Sequence, residues 1–360
     1  YYCAYPEFVT TGGKDALVRV NWQESLFDDE KAKNKGNRDE VEGKFFVTIW
    51  HVRDGIGDLF KLDGGAQRQY ETLWWQCGRF VEILVETQDE AVTLEHFGFR
   101  ETRYPLEKES GFDCDDERWL PVEKIMWRAL QMCSHETYMD CPYYEQLQYV
   151  GDTRLQVLTT YTHSRDDRLP RKALYLFDES RIANGLTQSR YPSRVRQLTR
   201  GFALWWVAMV HDFAMWRDDT EFVAQRMTGV RAVLDGYRQF LTAENLIRLP
   251  FGPNFNFMDW VPGWQGGFPP HCGTGITALA NWQWILVLRQ AAQLEEWHGE
   301  SEMAARWNRL ADECEASTHK AFWSEERGLF ADDLKHQHSC EHVQCLALLQ
   351  NEYSHSLSVE

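Results

Sequence analysis

The 360-residue sequence predicts a mainly α protein with a β domain at its front, on three observations. The first 115 residues run in short, partly alternating stretches rich in Val, Ile, Phe and Thr. Near residue 117 the apolar period lengthens from two to about 3.6. Roughly eight helical segments then follow one another with no strand between them.

Within the front region, segments 16–22, 44–51, 79–87 and 91–100 read as strands, and Gly12-Gly13, Asp54-Gly55 and Gly64-Gly65 punctuate them as turns. Several short strands of this kind suggest a β-sandwich. Segment 28–40 is almost wholly charged or polar and reads as an exposed loop or insertion. The helical segments are 119–132, 146–161, 171–185, 199–216, 220–241, 273–297, 301–323 and 341–350. Successive helix pairs without strands fit a bundle, a solenoid or a toroid of hairpins, and the lack of a fixed-length repeat argues against a TPR or HEAT array. The expected division is a β-sandwich over 1–115 and a helical domain over 116–360. Segment 250–274 is an aromatic connection too long for mere spacing, the kind of loop that carries function.

Composition narrows the classes. With 43% apolar and 26% charged residues the chain is a folded globular sequence. Its richest apolar run, 202–210, is far too short to span a bilayer, so a soluble protein with no membrane partner is expected. A formal charge of −17 opposes a phosphate backbone and nucleic acid is not an expected partner; the basic cluster Arg181, Arg190, Arg194, Arg196 and Arg200 reads as a solvated loop and helix face. Nine cysteines without C-x-x-C spacing suggest free thiols in a reducing compartment, not a disulfide framework or a zinc site. There is no N-x-S/T acceptor. The opening Tyr1-Tyr2-Cys3 without an initiator Met, and an apolar segment that looks unfinished at the close, read as an excerpt of a longer protein. Compartment and oligomeric state are therefore not legible. Most of the sixteen tryptophans are expected in the core, while some offer flat faces suited to the C–H faces of sugars. There is no G-x-S-x-G, H-E-x-x-H or Walker loop, Gly55-Ile-Gly57 lacks the context of a dinucleotide fold, and His51, His135, His163 and His211 are scattered singly as structural or surface residues.

Chemistry concentrates in 140–154, DCPYYEQLQYVGDTR, with carboxylates at Asp140, Glu145 and Asp152. Pro142 favours an extended or first-turn geometry and Gly151 lowers helix propensity. If 145–156 is helical, Glu145, Gln148, Tyr149, Asp152 and Gln156 form one stripe, and Leu147, Leu155 and Leu158 fall on another side. That polar stripe would face a cavity or simply solvent, with an acid favoured near the helix N-terminus by the dipole; periodicity leaves both open. Glycoside hydrolysis needs a proton for the leaving oxygen and, with inversion, a second carboxylate to activate water. Neighbouring carboxylates raise one another's proton affinity. Spacing alone does not say which of the three is the acid.

Asp140-Cys141-Pro142, Glu145 and Gly151-Asp152 resemble the signature of the α-L-rhamnosidases of glycoside hydrolase family 78, in the branch that reads D-C-P-Y-Y-E-Q-L-Q-Y-x-G-D. The chain departs from the commoner family pattern at Tyr144, which stands where an Arg is usual, by one absent residue, and at Tyr149, which replaces a Trp. Ser189-Arg-Tyr-Pro-Ser193, Phe202-Ala-Leu-Trp-Trp206, Met258-Asp259-Trp260 and Arg79-Phe-Val-Glu-Ile83 resemble further family segments in the same order, so that the similarity extends over about 60–360.

The resemblance implies an (α/α)6 barrel, incomplete in this span, preceded by a β-sandwich, with rhamnose held in the barrel mouth. It implies an inverting exo-glycosidase that releases terminal α-L-rhamnose from oligosaccharides, polysaccharides or glycosides, using no metal or organic cofactor. Glu145 would be the general acid, while Asp140 and Asp152 would bind sugar hydroxyls and tune that acid. Tyr144, Tyr149, Asp259 and Trp260 would line the pocket, with Trp205 either joining them or packing in a helix core; Trp264 and His271 are recommended only by proximity. Glu341-His342 matches an upstream barrel helix and is not assigned as the base. The general base is expected beyond residue 360, so the span alone is expected to be largely inactive. Two other readings stand beside this one: a non-catalytic carbohydrate-binding barrel, which would need no Glu145, and a related helical-toroid glycosidase with another sugar preference.

Overall fold

In a computed structural model, residues 1–28, 37–46, 57–250, 256–264, 266–270 and 273–354 are described, the last four of these by backbone alone. Most of the expected strand 44–51, His51, His271 and the centre of the expected loop 28–40 lie outside the described residues. The chain divides into two units, Tyr1–Leu147 and Gln148–Glu360.

The first unit is a sandwich of two antiparallel sheets. In one, β1 (Tyr2–Gly12) pairs with β4 (Arg68–Glu71) and β5 (Gln76–Gly78) in tandem, and along its other side with β7 (Val92–Glu101). In the other, β2 (Leu17–Gln23) lies between β3 (Gly57–Lys61) and β6 (Phe80–Glu86). Burial alternates along β1 and β2, as a half-covered strand requires. Ala4 and Phe8 from one sheet meet Val18, Val20, Trp22 and Phe60 from the other; Phe8 and Phe60 pack edge to face at 4.8 Å.

β1 is the longest strand and was absent from the expected segments. Its Pro6 argues against a central strand, because proline cannot donate to a ladder. The register removes the conflict: β5 pairs Tyr2 to Ala4 and β4 pairs Glu7 to Thr10, so that Pro6 falls in the gap between them. Helix α1 (Trp119–Met132), matching the expected 119–132, also belongs to this unit and buries Met132 against Cys3, Trp75 and Cys77.

The second unit carries α2 (Val150–His163), α3 (Arg168–Glu179), α4 (Arg200–Trp216), α5 (Thr220–Tyr237), α6 (Ala278–Trp297), α7 (Ser301–Phe322) and α8 (Glu341–Ser354). A two-strand hairpin, β8 (Trp323–Ser324) with β9 (Leu329–Phe330), separates the last two. The packing skips alternate helices: α2 touches α4, α4 touches α6 and α6 touches α8, while α3, α5 and α7 pack against their flanks. Inner helices in lateral contact, each followed by an outer one, make the hairpin arrangement of a helical toroid.

The inner position shows in sequence and in burial. α6 is buried nearly all round from Ala278 to Leu294, as a helix with no solvent face must be. Three of its interior polar side chains are paired: Asn281 Oδ1 accepts from Ile247 N–H at 2.7 Å, Gln283 Nε2 donates to Gly201 O at 2.8 Å, and Glu295 meets Arg231 at 2.6 Å. α6 starts at Ala278 and not near 273, because Thr277 is extended and its hydroxyl caps Ala280 N–H. Of the basic cluster, only Arg194 and Arg196 are exposed; Arg181 pairs with Asp178 and Arg200 with Asn256, so the solvated-face expectation holds for two of the five. Among the described residues no helix is long and apolar enough to cross a membrane.

Candidate active site

The acidic motif is divided between the two units, and each part has its own geometry. Residues 140–147, at the end of the first unit, form a closed turn, and the helix expected from 146 does not begin there. Asp140 N–H donates to Leu147 O at 2.8 Å, and Asp140 Oδ1 accepts from Leu147 N–H at 3.1 Å. Gln146 adopts a positive φ of 53° and donates from its backbone to Cys141 O at 3.0 Å and from its side chain to Pro142 O at 3.0 Å. A left-handed residue breaks helical phasing, so Glu145 and Asp152 do not share the stripe that periodicity suggested. Tyr143 anchors the turn, its buried hydroxyl donating to Trp22 O at 3.1 Å, and Trp74 Nε1 donates to Gln146 Oε1 at 2.6 Å.

This turn leaves Tyr144 and Glu145 exposed and Asp140 half-buried. Burial holds the Asp140 carboxyl above the usual carboxylate range, and the charge of Glu145 adds to this, while N–H groups of Cys141 and Leu147 pull the other way. Burial and the neighbouring Asp140 likewise push the Cys141 thiol up to about 11, which makes it a poor nucleophile.

In the second unit, Tyr149 is the extended residue that precedes α2, and Asp152 lies in the first turn of that helix, where the dipole favours an anion. Backbone pairing with residues 189–191 fixes this entry: Val150 N–H donates to Ser189 O at 2.9 Å and Tyr191 N–H to Gln148 O at 3.1 Å. The Tyr149 hydroxyl accepts from Arg190 Nη1 at 2.9 Å. Gly151 is required by packing: a Cβ there would lie 2.8 Å from the Phe202 ring on α4.

One turn further, Arg154 Nε donates to Asp212 Oδ2 at 2.8 Å and its guanidinium lies over the Trp205 ring at 4.8 Å. Trp205 is the half-buried member of an otherwise buried run on α4, with one face covered by that cation. Asp259 and Trp260 stand on the aromatic loop; Trp260 is 74% exposed, and its N–H donates to Asp259 Oδ1 at 2.7 Å. Asp259 Oδ2 is 3.1 Å from His342 Nε2 at the start of α8, and Trp264 packs tilted beside that imidazole at 5.3 Å. His342 and Arg190 were not among the expected site residues. The signal for Arg190 lay in the Ser189-Arg-Tyr-Pro-Ser193 segment, whereas nothing local distinguishes His342 from other single histidines. Among the described residues no cluster of His, Cys, Asp or Glu is arranged to hold a metal ion.

Comparison with known proteins agrees with this architecture. A GH78 family rhamnosidase of Bacillus sp. GL1 is 19% identical with a TM-score of 0.80, over 97% of this chain and 34% of that one. A rhamnosidase from Klebsiella oxytoca with rhamnose bound is 16% identical with a TM-score of 0.77, over 97% of this chain and 66% of that one. An α-L-rhamnosidase from Dictyoglomus thermophilum is 14% identical with a TM-score of 0.73, over 97% of this chain and 37% of that one. The chain thus spans about a third of the length of two of these enzymes and about two thirds of the third. No curated protein matches. Residues 107–356, well over half of the chain, match the bacterial α-L-rhamnosidase six-hairpin glycosidase domain, and with a β-sandwich ahead of its helical toroid the chain belongs to that family.

Proposed function

We propose that this chain carries the acid side of an inverting, exo-acting α-L-rhamnosidase, with Glu145 as general acid toward terminal rhamnose on an oligosaccharide, polysaccharide or glycoside. The observation that carries the reading is the contrast within the 140–147 turn. Asp140 is half-buried and one of its oxygens is occupied by Leu147 N–H, whereas Glu145, five residues later, is the exposed carboxyl at the end of the turn. An acid that must reach a glycosidic oxygen has to be presented outward, and a carboxylate that holds its loop does not.

In this reading Asp140 supports the turn and adds negative charge near the acid. Asp152, Tyr149, Tyr144, Asp259 and Trp260 contact the sugar, with Trp205 a further aromatic face. Glu145 donates its proton to the leaving oxygen as the C–O bond breaks, and water attacks the opposite face with a second carboxylate as base, so the sugar is released as the β-anomer. None of the described residues is assigned as that base.

The test compares the full-length protein with Glu145→Gln on p-nitrophenyl α-L-rhamnoside and on an alkyl α-L-rhamnoside, with NMR of the first anomer released. A general acid contributes roughly 10²–10⁴-fold, and the loss must be larger for the alkyl leaving group, which needs the proton more. Equal losses on both substrates would remove Glu145 from the acid role. No rhamnose release by wild type would favour another sugar.

A further inference from the structure

Arg190 is held beside Tyr149 with unusual thoroughness and has little else to do. Residues 189–191 pair antiparallel with 148–150 through backbone hydrogen bonds on both sides of the Tyr149–Arg190 bridge. Gln148 Nε2 adds a bond to Tyr191 O at 2.8 Å, and Ser189 Oγ, itself buried, accepts from Thr199 N–H at 3.0 Å. Both side chains therefore leave fixed backbone, and Arg190 Nη1 donates to the Tyr149 oxygen at 2.9 Å.

The energetics of this contact do not favour a purely structural role. Arg190 is half-buried, and among the described residues no carboxylate pairs with it; its Nε is buried without an acceptor there. Its guanidinium meets the Tyr149 oxygen and lies over the ring of the same tyrosine at 5.6 Å, and two contacts with one neutral side chain stabilise a fold less than a carboxylate pair would. Elsewhere in the same unit, half-buried Arg154, Arg181 and Arg231 have carboxylates in Asp212, Asp178 and Glu295, while half-buried Arg200 and Arg217 each donate to more than one oxygen, Arg200 to Pro250 and Asn256 and Arg217 to Trp216 and Ser164.

The contact does something definite to Tyr149. A guanidinium only donates, so the phenol oxygen is the acceptor in this pair and its own proton points away from Arg190. Donation from a cation also polarises the O–H and strengthens it as a donor. We propose that Arg190 is a positioning residue for substrate recognition: it orients and polarises the Tyr149 phenol so that Tyr149 donates a hydrogen bond to a hydroxyl of the bound sugar. This rests on the reading of Tyr149 as a sugar contact.

The test is a double-mutant cycle in the full-length protein with p-nitrophenyl α-L-rhamnoside, using Tyr149→Phe, Arg190→Met and the pair, with Arg190→Lys as the conservative variant. Losing one donor to a sugar hydroxyl corresponds to about a tenfold rise in KM with kcat changed less. Because both residues act through one bond, the double variant should be no worse than the worse single, and Arg190→Lys should recover part of the loss. Additive losses, or unchanged KM with a lowered melting temperature, would overturn the inference. Should Arg190→Met fail to fold, Tyr149→Phe and Arg190→Lys still decide it, since an unchanged KM in both overturns the proposal. Hydrolysis by wild type separates the two levels: with activity present, additive variants sink this inference alone, and with no activity the rhamnosidase reading falls and takes the inference with it.

Discussion

Residues 140–147 and 148–154 are consecutive in sequence, but they are held in place by different means. The first stretch closes on itself, with Asp140 bonded twice to Leu147 and Gln146 bonded twice to the Cys141-Pro142 segment. The second takes its geometry from partners 41 to 58 residues away: Arg190 and Tyr191 on Tyr149 and Gln148, and Asp212 on Arg154. The difference teaches which kind of substitution each stretch should feel. A locally closed turn responds to changes within itself, whereas a segment positioned from a distance responds to changes on another helix.

The largest effect should come from the distant partner. Asp212→Ala leaves the Arg154 guanidinium, with 19% side-chain exposure, without its carboxylate, and we expect a loss of roughly 2–3 kcal/mol in denaturant unfolding. If stability is unchanged, α2 is not held from α4 in this way. Next, Gly151→Val places methyl groups against the Phe202 ring and should cost about 2 kcal/mol by overpacking. Combining it with Phe202→Leu should recover part of that loss if the clash is the cause.

Smaller effects should mark the local turn. Asp140→Ala removes the hydrogen bond to Leu147 N–H, worth about 1 kcal/mol, and this loss should add to that of any variant in the 189–191 segment with no coupling between them. Asp140→Asn keeps an acceptor and removes the charge, which makes it a test of pH dependence. The Asp140 pKa is raised in the folded state, so its contribution to stability is fully present below the unfolded carboxylate pKa and is lost as pH rises through the folded one. Asp140→Asn should therefore flatten the stability profile just above the usual carboxylate range and leave the protein as stable as wild type, or slightly more so, at pH 7. A steeper profile in the variant would contradict the burial argument.

Much of the architecture was legible because it is periodic. The change of period near residue 117, and helices such as Trp119–Met132 and Ser301–Phe322, follow from apolar spacing that any soluble helix must show. β1 was missed because Pro6 and mixed polarity hide it, and only the gap between β4 and β5 makes Pro6 acceptable. The start of α2 was misplaced by four residues because the left-handed Gln146 and the pairing of 148–150 with 189–191 outweigh helix propensity.

A β region ahead of a run of helices, the signature segment and the residue types available for proton transfer were legible in the sequence alone, because these depend on period and on chemistry carried within a few neighbouring positions. Only the tertiary structure decided that Asp140 is half-buried while Glu145 is exposed, that Arg190 meets Tyr149, and that His342 meets Asp259. The reason is physical: burial and a hydrogen-bond partner brought from 41 or 83 residues away are properties of packing, and no local window of sequence contains both members of such a pair.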